Sequence, residues 1–92
     1  MRKLLKVKVF GSVQGVGYRH FVRMNAESLN LSGNIRNLPD GSVEAVFVGQ
    51  EEDLKKMLEI CRKGSAFSKI TKVVEEWSNP DESFNGFKVL SS

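Results

Sequence analysis

The sequence predicts an α+β sandwich, in which two helices cover one face of an antiparallel sheet. Three observations predict it. Short runs alternate apolar and polar residues with the period of a strand. Two longer segments carry apolar stripes at helical spacing. The runs follow one another in the order β-α-β-β-α-β-β.

The first run, LLKVKVF at 4–10, sets Leu5, Val7 and Val9 against Leu4, Lys6, Lys8 and Phe10. It reads as a strand with one buried and one largely solvated face. Residues 20–31 read as a helix, with Val22, Ala26 and Leu29 on one stripe. Asn30 can end it, because Asn tolerates the left-handed conformation. GNIRNL at 33–38 is a short strand, and PDG at 39–41 is a turn. SVEAVFVG at 42–49 alternates Val43, Ala45 and Phe47 with Glu44, Val46 and Val48, so residues 33–49 form a hairpin.

Residues 51–63 form the second helix, with Leu54, Met57, Leu58 and Cys61 on its apolar stripe. Glu51, Glu52 and Asp53 at its start, and Arg62 and Lys63 at its end, complement the helix dipole. Gly64 stops it. SKITKVVEEW at 68–77 is a strand, SNPDESFNG a loop and FKVL at 87–90 a last short strand. Two βαβ-like halves joined by a hairpin make the ferredoxin-like arrangement. In it the first two strands are parallel, with the third between them. Their carboxyl ends therefore share one sheet edge.

The 92 residues are expected to form a single domain, 1–92, with 40% hydrophobic and 27% charged residues, an ordinary globular composition. The net charge of +3 is spread along the chain and reads as a solvated surface. Cys61 and His20 stand alone, so neither an intrachain disulfide nor a His/Cys metal cluster can form. The lone thiol points to a reducing cytoplasm. Lys6 and Lys8 interrupt the apolar start before a signal peptide can form, and no run of about 20 apolar residues could span a membrane. The Asn30–Ser32 sequon reads as chance.

The chemistry concentrates in GSVQGVGYRH, residues 11–20, where Gly11, Gly15 and Gly17 precede Arg19. The loop lacks the lysine of a Walker loop, and His20 stands where a dinucleotide fingerprint needs its third glycine. Clustered glycines can still turn successive N–H groups inward, and a helix start follows. Arg19 stands where loop becomes helix, and its planar fork suits a phosphate. Two readings stand level on these residues alone: an anion site, or a tight connection with a surface arginine. Asn37 closes the second strand at the same sheet edge. It reads either as a turn-capping residue or as an amide that orients a water.

GSVQGVGYR followed by GNIRNLPDGSVEA resembles the two motifs of the acylphosphatase family. AESLNLSG, KITKVVEEW and FNGFKVL extend the resemblance over nearly the whole chain. The resemblance implies the ferredoxin-like sandwich. It also implies hydrolysis of the carboxyl–phosphate bond of a small acyl phosphate, with no metal or cofactor. Carried onto this chain, Arg19 binds the phosphate and Asn37 positions the attacking water. The backbone N–H groups of Gln14, Gly15, Val16, Gly17, Tyr18 and Arg19 complete the cradle. The implied protein is a cytoplasmic monomer without a nucleic-acid or membrane partner. The chain departs from the family pattern at Asn30, where glycine is common, at Asn34, where a bulky residue is usual, and at Ser65, where proline is usual.

Two other functions compete. A domain that keeps the anion cradle but turns over slowly would carry the same residues. An RNA-binding sheet would need paired aromatics on its middle strands, where only Phe47 stands. Arg23 and Arg36 are rival anion binders ranked below Arg19, because neither adjoins the glycine loop. Tyr18 is expected to pack beneath the loop, His20 to face solvent or the helix start, and Asp40 to serve the turn. Trp77 and Phe87 are expected in the core or on a sheet face.

Overall fold

A computed structural model describes residues 1–81 and 83–90. The elements are β1 (Arg2–Ser12), α1 (Tyr18–Ser28), β2 (Ser32–Asn37), β3 (Val43–Gln50), α2 (Glu51–Lys63), β4 (Lys69–Ser78) and β5 (Phe87–Val89). The five strands form one sheet in the order β4-β1-β3-β2-β5. β3 runs antiparallel to both β1 and β2, with Val43 opposite Val9 on one side and Asn37 on the other. β1 and β2 are therefore parallel, and their carboxyl ends meet one edge.

The sheet differs from the antiparallel expectation at one pair: β5 lies parallel to β2. Chain length explains it. β4 ends with Ser78 opposite Leu4, at the edge where β1 begins. Only eight residues, 79–86, then connect to the far side of the sheet. Crossing four strand spacings takes about 19 Å, most of the roughly 27 Å that eight residues can reach. The chain re-enters at the edge it left and runs up beside β2.

The helix-covered face follows the alternation in the sequence. Leu5, Val7 and Val9 of β1 and Val43, Ala45 and Phe47 of β3 are buried with Ile35 of β2. They pack with Val22 and Ala26 of α1 and Leu54, Met57 and Cys61 of α2. α1 lies against β2 and β5, and α2 against β1, β3 and β4. Phe87 is buried and stacks on Phe47 with ring centroids 5.4 Å apart, while Trp77 packs at the core's margin. With no exposure of its own, Phe47 has no ring face free for a base.

The first helix is shifted from 20–31 to Tyr18–Ser28. It begins earlier because Gly17, with φ 78°, turns the chain directly into the helix. It ends earlier because Asn30 takes φ 57°. The N–H of Leu31 then donates to Ala26 O at 2.9 Å and that of Asn30 to Glu27 O at 3.1 Å. This pair of bonds is a Schellman motif with Asn30 at the left-handed position. Leu31 is carried back into the core beside Ala26.

Candidate active site

The loop between β1 and α1 is built on two left-handed glycines. Gly15 and Gly17 have φ values of 74° and 78°, where a side chain would be strained. A Cβ at either position would meet nothing within 4 Å. Backbone conformation therefore demands glycine there, and the backbone is left open to an approaching group. Val13 is buried and anchors the loop, and Val16 packs against the core margin.

At Gly17 no side chain caps α1, and its first turn holds no acidic residue. The N–H groups opening the helix thus carry the positive end of the dipole without a carboxylate to offset it. Phe21 N is the first helical donor, bonded to Gly17 O at 3.0 Å.

Arg19 lies in that first turn, half-buried. Its Nη1 donates to the Leu90 carbonyl at 2.9 Å. Leu90 is in turn held by its N–H to Ile35 O at 2.8 Å. The end of the last strand thereby aims the guanidinium. A neutral carbonyl takes one of its donors. Among the described residues no carboxylate pairs with Arg19. A hollow of about 330 Å³ lies here, bounded by Gly15, Gly17, Arg19 and Val89 and reaching along α1 to His20 and Arg23.

The Gln14 side chain joins this loop to the β2–β3 hairpin. Its Nε2 donates to Leu38 O at 2.8 Å and to Ser42 O at 2.9 Å. Those carbonyls also close the hairpin, through Leu38 N to Ser42 O at 2.8 Å and Gly41 N to Leu38 O at 3.1 Å. Asp40 accepts from the Ser42 hydroxyl and, at 2.9 Å, from its N–H. Lys8 stands 3.2 Å away. The Ser42 hydroxyl and N–H, then Lys8, hold the Asp40 carboxyl down to about 2. Asp40 is thus a turn residue, as its sequence context suggests.

Asn37 is the residue before this turn. It shares the face of Ile35, the helix-covered side, while Arg36 points to the open face and pairs with Glu44 at 2.9 Å. The Asn37 Oδ1 is buried with no hydrogen-bond partner among the described residues. A buried acceptor left this way costs about 1–3 kcal/mol unless a donor arrives. Asn37 does not line the hollow at Arg19. It belongs to the neighbouring hairpin, which Gln14 holds against the loop.

Tyr18 is buried, and its hydroxyl donates to Cys61 O at 2.9 Å. Burial raises its pKa above the usual phenol range. Burial also pushes the Cys61 thiol up to about 12, so Cys61 is no nucleophile at neutral pH. The side chain of Tyr18 belongs to the core, and only its backbone faces the loop. Three features of this edge are not visible in the sequence: the Gln14 bridge, the Leu90 carbonyl behind Arg19, and the presence of Arg23 at the hollow.

The family model described as Acylphosphatase matches residues 5–89. The chain is 40% identical over 95 residues to the acylphosphatase of Helicobacter hepaticus, covering 98% of this chain and 99% of that protein. It is 44% identical over 84 residues to the acylphosphatase of Bacillus licheniformis, covering 91% and 93%. Its fold superimposes on the crystal structure of acylphosphatase from Bacillus subtilis with a TM-score of 0.92, at 36% identity, over 96% of this chain and 98% of that one.

Proposed function

Because this chain belongs to the acylphosphatase family, whose activity is acyl phosphate hydrolysis, we propose that Arg19 and the loop amides hold the phosphate, that Asn37 orients the water, and that no metal is needed. The observation that carries the reading is the helix start at Gly17. It has open N–H groups, no side-chain cap and no acid in its first turn, and among the described residues no carboxylate pairs with Arg19. A tetrahedral anion complements all three.

Each residue then has one task. The N–H groups of residues 14–19 and the free donors of Arg19 spread over the phosphate oxygens, neutralising charge as the transition state forms. The Asn37 carboxamide orients the attacking water from the adjoining hairpin. An amide orients without titrating, so it works across a wide pH range. The leaving group is a carboxylate, whose conjugate acid has a pKa near 4, and it departs without a general acid. The proton lost by water passes to a phosphate oxygen. Water oxygen bonds to phosphorus, the bond from phosphorus to the acyl oxygen breaks, and carboxylate and inorganic phosphate leave. The cradle is built within one copy, so a monomer suffices for the reaction.

The test is hydrolysis of benzoyl phosphate by purified protein with a chelator present. Full activity of the unmodified chain is expected, with a loss of at least about 10²-fold in Arg19→Ala. Unchanged thermal unfolding should accompany that loss. Full activity in Arg19→Ala, or dependence on added metal, would reject the proposal.

A further inference from the structure

β4 closes one side of the sheet, and β1 is its only strand neighbour among the described residues. Its outer N–H and C=O groups are therefore left for water or for another strand. The strand is long, Lys69–Ser78, whereas β5 at the opposite side has three residues. Long edges are commonly blunted by a bulge. Here the register shifts at Thr71, since Phe10 faces Lys72 and Gly11 faces Ile70. Beyond it residues 72–76, KVVEE, pair regularly with β1 and keep a clean outer edge.

The charges of this stretch select how it can pair with itself. A two-fold axis normal to the sheet joins two copies edge to edge and keeps every residue on its own face. Centring the axis on Lys72, Glu75 or Glu76 sets like charges against each other. Centring it on Val73 sets Lys72 against Val74, with no charge pair on that face. Centring it on Val74 sets Lys72 of each copy against Glu76 of the other, with Val74 against Val74 between them. All three lie on the face of the sheet away from the helices, opposite Phe10, Lys8 and Lys6 of β1.

The same three residues are the unpartnered ones. On this face Lys6, Lys8 and Arg36 each hold a carboxylate. Among the described residues Lys72 and Glu76 have no ion-pair partner, and Lys72 rests over the Phe10 ring, 5.6 Å from its centroid. Val74 is an apolar side chain left 46% exposed. On the helix-covered face Glu75 is already paired with Arg62.

We propose that the β4 edge is a docking surface for a second copy of this chain, paired antiparallel about Val74 with Lys72 of each copy against Glu76 of the other. Two five-stranded sheets then run on as one. α1 and Arg19 stay clear of the junction, because α1 lies against β2 and β5. The pairing is short and its ion pairs are exposed, so the dimer is weak and sensitive to salt.

Sedimentation velocity over a range of protein concentrations at low salt tests this. A reversible monomer–dimer equilibrium is expected, with a dissociation constant below about 1 mM. Added salt should weaken it. Lys72→Glu and Glu76→Lys each set like charges opposite twice per dimer, and each should raise the dissociation constant at least about tenfold. The double variant K72E/E76K exchanges the charges and should restore the dimer. Val74→Glu brings two carboxylates together at the axis, while Lys8 stands opposite it within its own chain. It should therefore fold and remain monomeric. Unchanged thermal unfolding and unchanged hydrolysis of benzoyl phosphate per copy should accompany all four variants. A chain that stays monomeric up to about 1 mM, a dimer that the single reversals leave intact, or a double variant that fails to recover would each overturn the proposal.

Discussion

Gln14 carries as much of the site's geometry as any residue that would touch substrate. Its carboxamide reaches carbonyls 24 and 28 residues away in the chain and ties the glycine loop to the hairpin that bears Asn37. Gln14→Glu keeps the shape and replaces the donor by an anionic acceptor facing two carbonyl oxygens. We expect a stability loss of about 1 kcal/mol, seen as a lower urea midpoint at unchanged slope. We also expect a fall in kcat, because loop and hairpin would part. At this scale the sequence is uneven in what it discloses. Gly15, Gly17 and Arg19 are legible because positive φ and a cation at a helix start are local properties. Gln14 is not, since nothing within a few residues of it names its partners. Arg23 looks remote from the loop in one dimension, yet a helix brings every fourth residue to the same side.

Helices and strands follow from periodicity closely, and the places where they do not are instructive. The stripe in residues 51–63 survives intact, and so does the helix-covered face of β1 and β3, whereas Leu4 and Val48, paired on the opposite face, are buried as well. The start of α1 lies outside the apolar stripe, because Tyr18 is both a helical residue and a buried partner of Cys61 O. Its end is a matter of one left-handed residue. Asn30 at φ 57° closes the Schellman motif. Asn30→Ala should cost about 1 kcal/mol, since alanine has no local hydrogen bond to offset the left-handed strain. Thermal unfolding monitored by circular dichroism would register this, with kcat for benzoyl phosphate unaltered. The direction of β5 lies outside any periodicity argument. It follows from where β4 stops and how little chain remains.

On the scale of the whole molecule, the site depends on contacts between four separate segments at one sheet edge. β1 delivers the glycine loop, α1 supplies Arg19, β2 ends in Asn37, and the chain after β5 presents the Leu90 carbonyl that orients Arg19. Parallel β1 and β2 make this convergence possible, and that much follows from the order of elements alone. No helix among the described residues is long and apolar enough to cross a membrane. The division of labour is the central claim: Arg19 and the loop bind, whereas Asn37 orients water. Inhibition of benzoyl phosphate hydrolysis by inorganic phosphate, measured in Asn37→Ala, tests it most directly. The account predicts a kcat lower by about 10²- to 10³-fold, with a phosphate inhibition constant within about twofold of the unmodified chain. An inhibition constant that rises in step with the loss of kcat, or a kcat that does not fall, would contradict it.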